Sequence, residues 1–62
     1  MLPNVYRLFF FDADGKQLAT DKMISDSEVA AIEAAKQRAE SREGCHGFEV
    51  WISNRLVYAA KR

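Results

Sequence analysis

Hydrophobic and polar positions follow two different periods along this chain, and their succession predicts its elements. Val5-Tyr6-Arg7-Leu8-Phe9-Phe10-Phe11 is dense in aromatic and branched side chains and stops at Asp12-Ala13-Asp14-Gly15. That composition predicts a strand entering a hairpin, with Asp first and Gly fourth as a type I turn followed by a left-handed residue requires. The return strand runs from Lys16 to about Met23, where Leu18 and Thr20 alternate weakly with Gln17, Ala19 and Asp21. Such a sparse, charge-bearing pattern suits an edge strand.

Ile24-Ser25-Asp26-Ser27-Glu28-Val29 then reads as a helix start. Ser25 as N-cap and Glu28 three residues on make a capping box, with Ile24 and Val29 at the staple positions. Val29, Ile32, Ala35 and Ala39 fall on one helical stripe, widened by Ala31 and Ala34, whose small side chains permit close approach to a sheet. Lys36 and Glu40 form an i,i+4 pair on the opposite face, Arg42 complements the helix dipole, and Gly44 closes the helix. The predicted helix spans Asp26 to Glu43.

Gly47-Phe48-Glu49-Val50-Trp51-Ile52-Ser53 alternates cleanly, with Phe48, Val50 and Ile52 on one side and Glu49, Trp51 and Ser53 on the other. This is the signature of a half-buried strand. Asn54-Arg55 supplies a two-residue turn, and Leu56-Val57-Tyr58-Ala59-Ala60 returns. The order strand, strand, helix, strand, strand predicts an α+β fold, ββαββ: a four-stranded antiparallel sheet of order 2-1-3-4 with one helix packed on one face. That arrangement centres the two most apolar strands and leaves the polar ones at the edges. Residues 1–62 read as a single small domain.

One helix covers one face of such a sheet. If Tyr6, Leu8 and Phe10 point at the helix with Phe48, Val50 and Ile52, the outer face receives Arg7, Phe9, Phe11 and Trp51. The alternative phase buries Val5, Phe9 and Phe11 together with Arg7 and exposes Tyr6, Leu8 and Phe10. Either phase leaves a set of aromatics outside, and an exposed contiguous patch marks an interaction site.

Composition narrows what that patch serves. A chain of 62 residues buries only about 60% of its unfolded surface, so its core needs support from a disulfide, a metal or self-association. A single cysteine, Cys45, rules out an internal disulfide, and one Cys with one His cannot supply a structural zinc site. Self-association remains, and a homodimer with two sheets packed face to face is the leading reading. A pocket or groove for an unknown protein partner or an apolar small molecule is a second. The third is a stacking platform for single-stranded nucleic acid, using Phe9, Phe11 and Trp51 with Arg7, Arg55, Lys61 and Arg62 near the phosphates. Nine basic against nine acidic residues weigh against that third reading.

No motif points to catalysis. Cys45-His46 are neighbours whose side chains diverge in an extended segment, which fits a loop cysteine beside a helix-capping histidine better than a nucleophile and its base. Asp12-Ala13-Asp14-Gly15 is too short for a calcium loop, and Met23 stands where its bidentate Glu belongs. No glycine-rich phosphate loop, Ser-His-Asp arrangement or nucleotide fingerprint is present, so neither an enzyme nor a bound cofactor or metal is expected. Met1-Leu2-Pro3-Asn4 carries no positive n-region, and Leu8-Phe9-Phe10-Phe11 is far shorter than a signal core or a membrane span. A cytoplasmic setting without membrane association is expected, in keeping with one unpaired thiol.

Tyr6-Arg7-Leu8-Phe9-Phe10-Phe11-Asp12 with Asp14-Gly15, the capped alanine-rich helix, and Gly47-Phe48-Glu49-Val50-Trp51 turning into Arg55-Leu56-Val57 together resemble a family of short uncharacterised bacterial domains of unknown function, of strand-strand-helix-strand-strand type. The resemblance covers almost the whole chain through structural motifs. It implies the same element order and a bacterial cytoplasmic origin, and it assigns no activity. The Gly44-Cys45-His46-Gly47 link stands outside the recurrent part.

Overall fold

The computed structural model describes residues 4–61, and they fold in the predicted element order. Strand β1 is Asn4–Phe11, β2 Gln17–Ser25, helix α1 Glu28–Ser41, β3 Gly47–Ile52 and β4 Arg55–Lys61. The sheet has four strands in the order β2-β1-β3-β4, with β1–β2, β1–β3 and β3–β4 all antiparallel. This is the expected ββαββ α+β fold with the two aromatic strands in the centre.

The first hairpin forms as its residues dictate. Asp12 Oδ1 accepts the N–H groups of Asp14 and Lys16, both at 2.9 Å. Gly15 N–H closes the turn onto Asp12 O at 3.0 Å. Gly15 itself sits at φ +83°, a conformation in which a Cβ is strained.

Helix α1 is shorter than its sequence pattern predicts at both ends. Its N-cap is Ser27, not Ser25, and the Ser27 hydroxyl accepts from Ala30 N–H at 3.3 Å. Ser25 is still the last residue of β2, paired with Asn4, and its Oγ accepts from Ser27 N–H at 3.1 Å in a local turn. A residue held in a β ladder cannot also cap, so the capping box with Glu28 does not form. The staple fails with it: Ile24 is 69% exposed and Val29 70% exposed. At the other end the backbone leaves the helix at Arg42, two residues before the left-handed Gly44 at φ +82°.

The buried helix face is Ala31, Ala35 and Ala39, at i,i+4 spacing, with Ile32 and Ala34 half-buried beside it. Against these small side chains lie Tyr6, Leu8 and Phe10 from β1 and Phe48 and Val50 from β3. Leu8, Phe10 and Val50 have no measurable exposure, and each such side chain contributes about 1.5–3 kcal/mol through burial. The first of the two possible phases is therefore the one adopted. Large sheet side chains opposite alanines explain how one short helix closes this core.

Charged groups rim the core. Arg42 lies over the Phe10 ring, 5.1 Å from its centroid, and Lys36 over Tyr58 at 5.5 Å. Lys36 pairs with Glu33 at 3.6 Å rather than with Glu40. Arg38 reaches from α1 to Asp21 on β2, and Arg55 reaches Glu28 at 3.8 Å.

The second hairpin turns one residue earlier than expected. Ile52 pairs with Arg55, so the turn is Ser53-Asn54, and Ser53 rather than Asn54 takes the positive φ, at +52°. That shift would send Tyr58 to the outer face if pairing continued evenly. An irregularity between Val50 and Trp51 sets Tyr58 opposite Val50 instead, leaving Val57 as the extra residue. Tyr58 thus returns to the helix side, where its ring lies 5.7 Å from that of Phe48.

Candidate functional site

The outer face of the sheet carries the four residues singled out in the sequence. Arg7, Phe9 and Phe11 are successive outward positions of β1, because the inward ones are the buried Tyr6, Leu8 and Phe10. Pairing with β3 then fixes their neighbours: Arg7 opposite Trp51, Phe9 opposite Glu49, and Phe11 opposite Gly47. Phe9, Phe11 and Trp51 are half-buried and Arg7 is exposed. Together with Glu49 they line an open hollow of about 390 Å³.

The apolar surface extends beyond these four. Val5 and Ile24 face each other across β1 and β2, 50% and 69% exposed. Leu56, 45% exposed, stands opposite Trp51 on β4. None of the described elements packs on this side, since α1 lies wholly on the other. Ile24 was expected in a helix staple and Leu56 only in a return strand. Their membership of the patch follows from register, which the hairpin turns set and local pattern does not.

Glu49 lies on this face too, beside the four residues singled out in the sequence. It is half-buried among the aromatics, and its Oε1 accepts a hydrogen bond from Trp51 Nε1 at 2.9 Å. The available signal is its spacing, because residues two apart in a strand share a face. On the same side Arg7 stands opposite Lys22, and Lys61 stands opposite Gly47.

Among the described residues, the cations expected near a phosphate chain divide between the two faces. Arg7 and Lys61 are on the outer face, whereas Arg55 pairs with Glu28 on the helix side. Arg62 lies outside the described residues. Gly47 has a structural reason of its own: a Cβ there would come within 2.8 Å of Ala60 O.

The other motifs are occupied locally. Cys45 is buried, its Sγ 3.2 Å from Gly47 O, while His46 is exposed. His46 does not cap the helix; its N–H donates to Phe11 O at 2.8 Å, tying the α1–β3 link to the end of β1. Among the described residues no three His, Cys, Asp or Glu side chains converge as a metal site requires. No described helix is long and apolar enough to cross a membrane. Comparison with protein-family models, curated proteins and solved structures finds no match to this chain.

Proposed function

We propose that this chain is a homodimeric protein-interaction or regulatory module without catalytic activity, working through the outer sheet face around Arg7, Phe9, Phe11 and Trp51. The setting proposed with it is the reducing cytoplasm of a bacterium, with no cofactor. One observation carries the reading: Val5, Ile24, Phe9, Trp51 and Leu56 share a face that none of the described elements covers, with the charged pair Arg7 and Lys22 between Val5–Ile24 and Phe9. Exposed apolar surface of this kind is a cost to a monomer in water and a source of affinity once it meets a matching surface.

The second reading is a platform for single-stranded nucleic acid. Three aromatics on one face beside Arg7 and Lys22 favour it. A carboxylate in their midst, Glu49, opposes a path for phosphates. Replacing Phe9 and Trp51 together by Ala separates the two. A dimer becomes a monomer in sedimentation, with its strand and helix circular dichroism retained. If the native protein instead binds a labelled oligonucleotide as a monomer, and the double variant loses that binding, the nucleic-acid reading replaces the dimer.

A further inference from the structure

Self-association of an open sheet proceeds along an edge or across a face, and the charges on this molecule discriminate between the routes. Strand β2, Gln17–Ser25, is one edge. Antiparallel pairing of β2 with a second copy about Asp21 sets Asp21 against Asp21, and pairing about Lys22 sets Lys22 against Lys22. Strand β4, Arg55–Lys61, is the other edge, and pairing about Tyr58 sets Arg55 against Lys61. Like charges directly opposite one another destabilise a ladder, and the irregularity at Val57 interrupts the β4 edge further.

The outer face is the reverse case. Arg7 lies opposite Trp51 and Phe9 opposite Glu49, so a cation and an anion occupy one diagonal of a four-residue checkerboard and two aromatics occupy the other. Resting on the interaction reading above, the geometry points to a second copy of this chain as the occupant of the face. Its two-fold axis runs in the interface along the Phe9–Trp51 diagonal. Such an axis carries Arg7 of each copy over Glu49 of the other and sets Phe9 and Trp51 beside their own counterparts.

Two features of the single chain fit this arrangement. Arg7 makes no ion pair among the described residues and faces the like-charged Lys22 across the ladder, so it lacks an anion that the second copy supplies. Glu49 commits Oε1 to the Trp51 indole, and a carboxylate has capacity for a guanidinium besides. The available area is also of the right order. Four strands about 4.8 Å apart, of about seven residues rising about 3.3 Å each, present on the order of 450 Å² in projection. Accessible area exceeds projected area, so two such faces approach the ~1,200 Å² at which specific interfaces begin.

Charge reversal tests the pairing. Arg7→Glu alone places two carboxylates together, Glu49→Arg alone places two cations together, and each single variant sediments as a monomer at concentrations where the native protein is a dimer. An equimolar mixture of the two variants restores opposite charges at both reciprocal contacts and returns to a dimer. Single variants that stay dimeric, or a mixture that stays monomeric, overturn the pairing, while a native protein that is monomeric throughout overturns the interaction reading beneath it. If a reversal unfolds the chain, Arg7→Gln and Glu49→Gln serve instead. Each then weakens the dimer at least several-fold, and the double variant is no weaker than either single one; additive losses contradict a direct contact.

Discussion

At Gly47 a hydrogen atom is all that the neighbouring strand allows. A Cβ would stand 2.8 Å from Ala60 O, a backbone atom, and 3.4 Å from Lys61 Cγ, so the side chain at this position is limited by its partner strand and not by its own φ. Gly47→Ala forces β3 and β4 apart where Gly47 pairs with Lys61. We expect a loss of about 1–3 kcal/mol in denaturant unfolding; an unchanged midpoint would show that the two strands are free to separate there. Nothing in the local pattern announces this restriction, since a glycine before a strand reads as a link. The cap is a similar case. Ser25 and Ser27 are chemically equal candidates, and the choice falls to Ser27 because Ser25 is engaged with Asn4 at the end of β2. Trp51 and Glu49 were legible as sharing a face, whereas the hydrogen bond between them depends on rotamers that spacing does not report.

Among the elements, the helix shows most clearly how the sequence sets packing. Its buried side chains are alanines alone, and the volume of the core comes from the sheet. Ala35 has no measurable exposure, so Ala35→Leu inserts a branched side chain where none fits. The expected result is a destabilisation of about 1–3 kcal/mol with the strand order preserved. A gain in stability would reveal an unfilled space between α1 and the sheet. The existence, order and type of all five elements were readable from period and turn chemistry, and so was the phase that buries Leu8 and Phe10 once a buried Arg7 is counted as a cost. The boundaries were less readable. Tyr58 reaches the helix side only through the irregularity at Val57, a compensation between a turn placed at Ser53-Asn54 and an aromatic that packs on Phe48.

For the whole molecule, the governing feature is asymmetry. One sheet face is closed by α1 and rimmed with ion pairs, and the other carries Val5, Phe9, Phe11, Trp51 and Leu56 with a single carboxylate among them. The presence of this patch was legible in the sequence, because either phase left aromatics outside. Its full extent and its checkerboard of Arg7, Glu49, Phe9 and Trp51 were not, since both depend on register between strands distant in the chain. If two copies bury this face together, association stabilises the fold and stability must depend on concentration. The most direct measurement is the thermal midpoint of the native protein across a hundred-fold range of concentration, under reducing conditions that keep Cys45 a thiol. A homodimer whose association stabilises the fold gives a midpoint rising by on the order of 10 °C over that range. A midpoint that does not move with concentration contradicts it and leaves the outer face open to water.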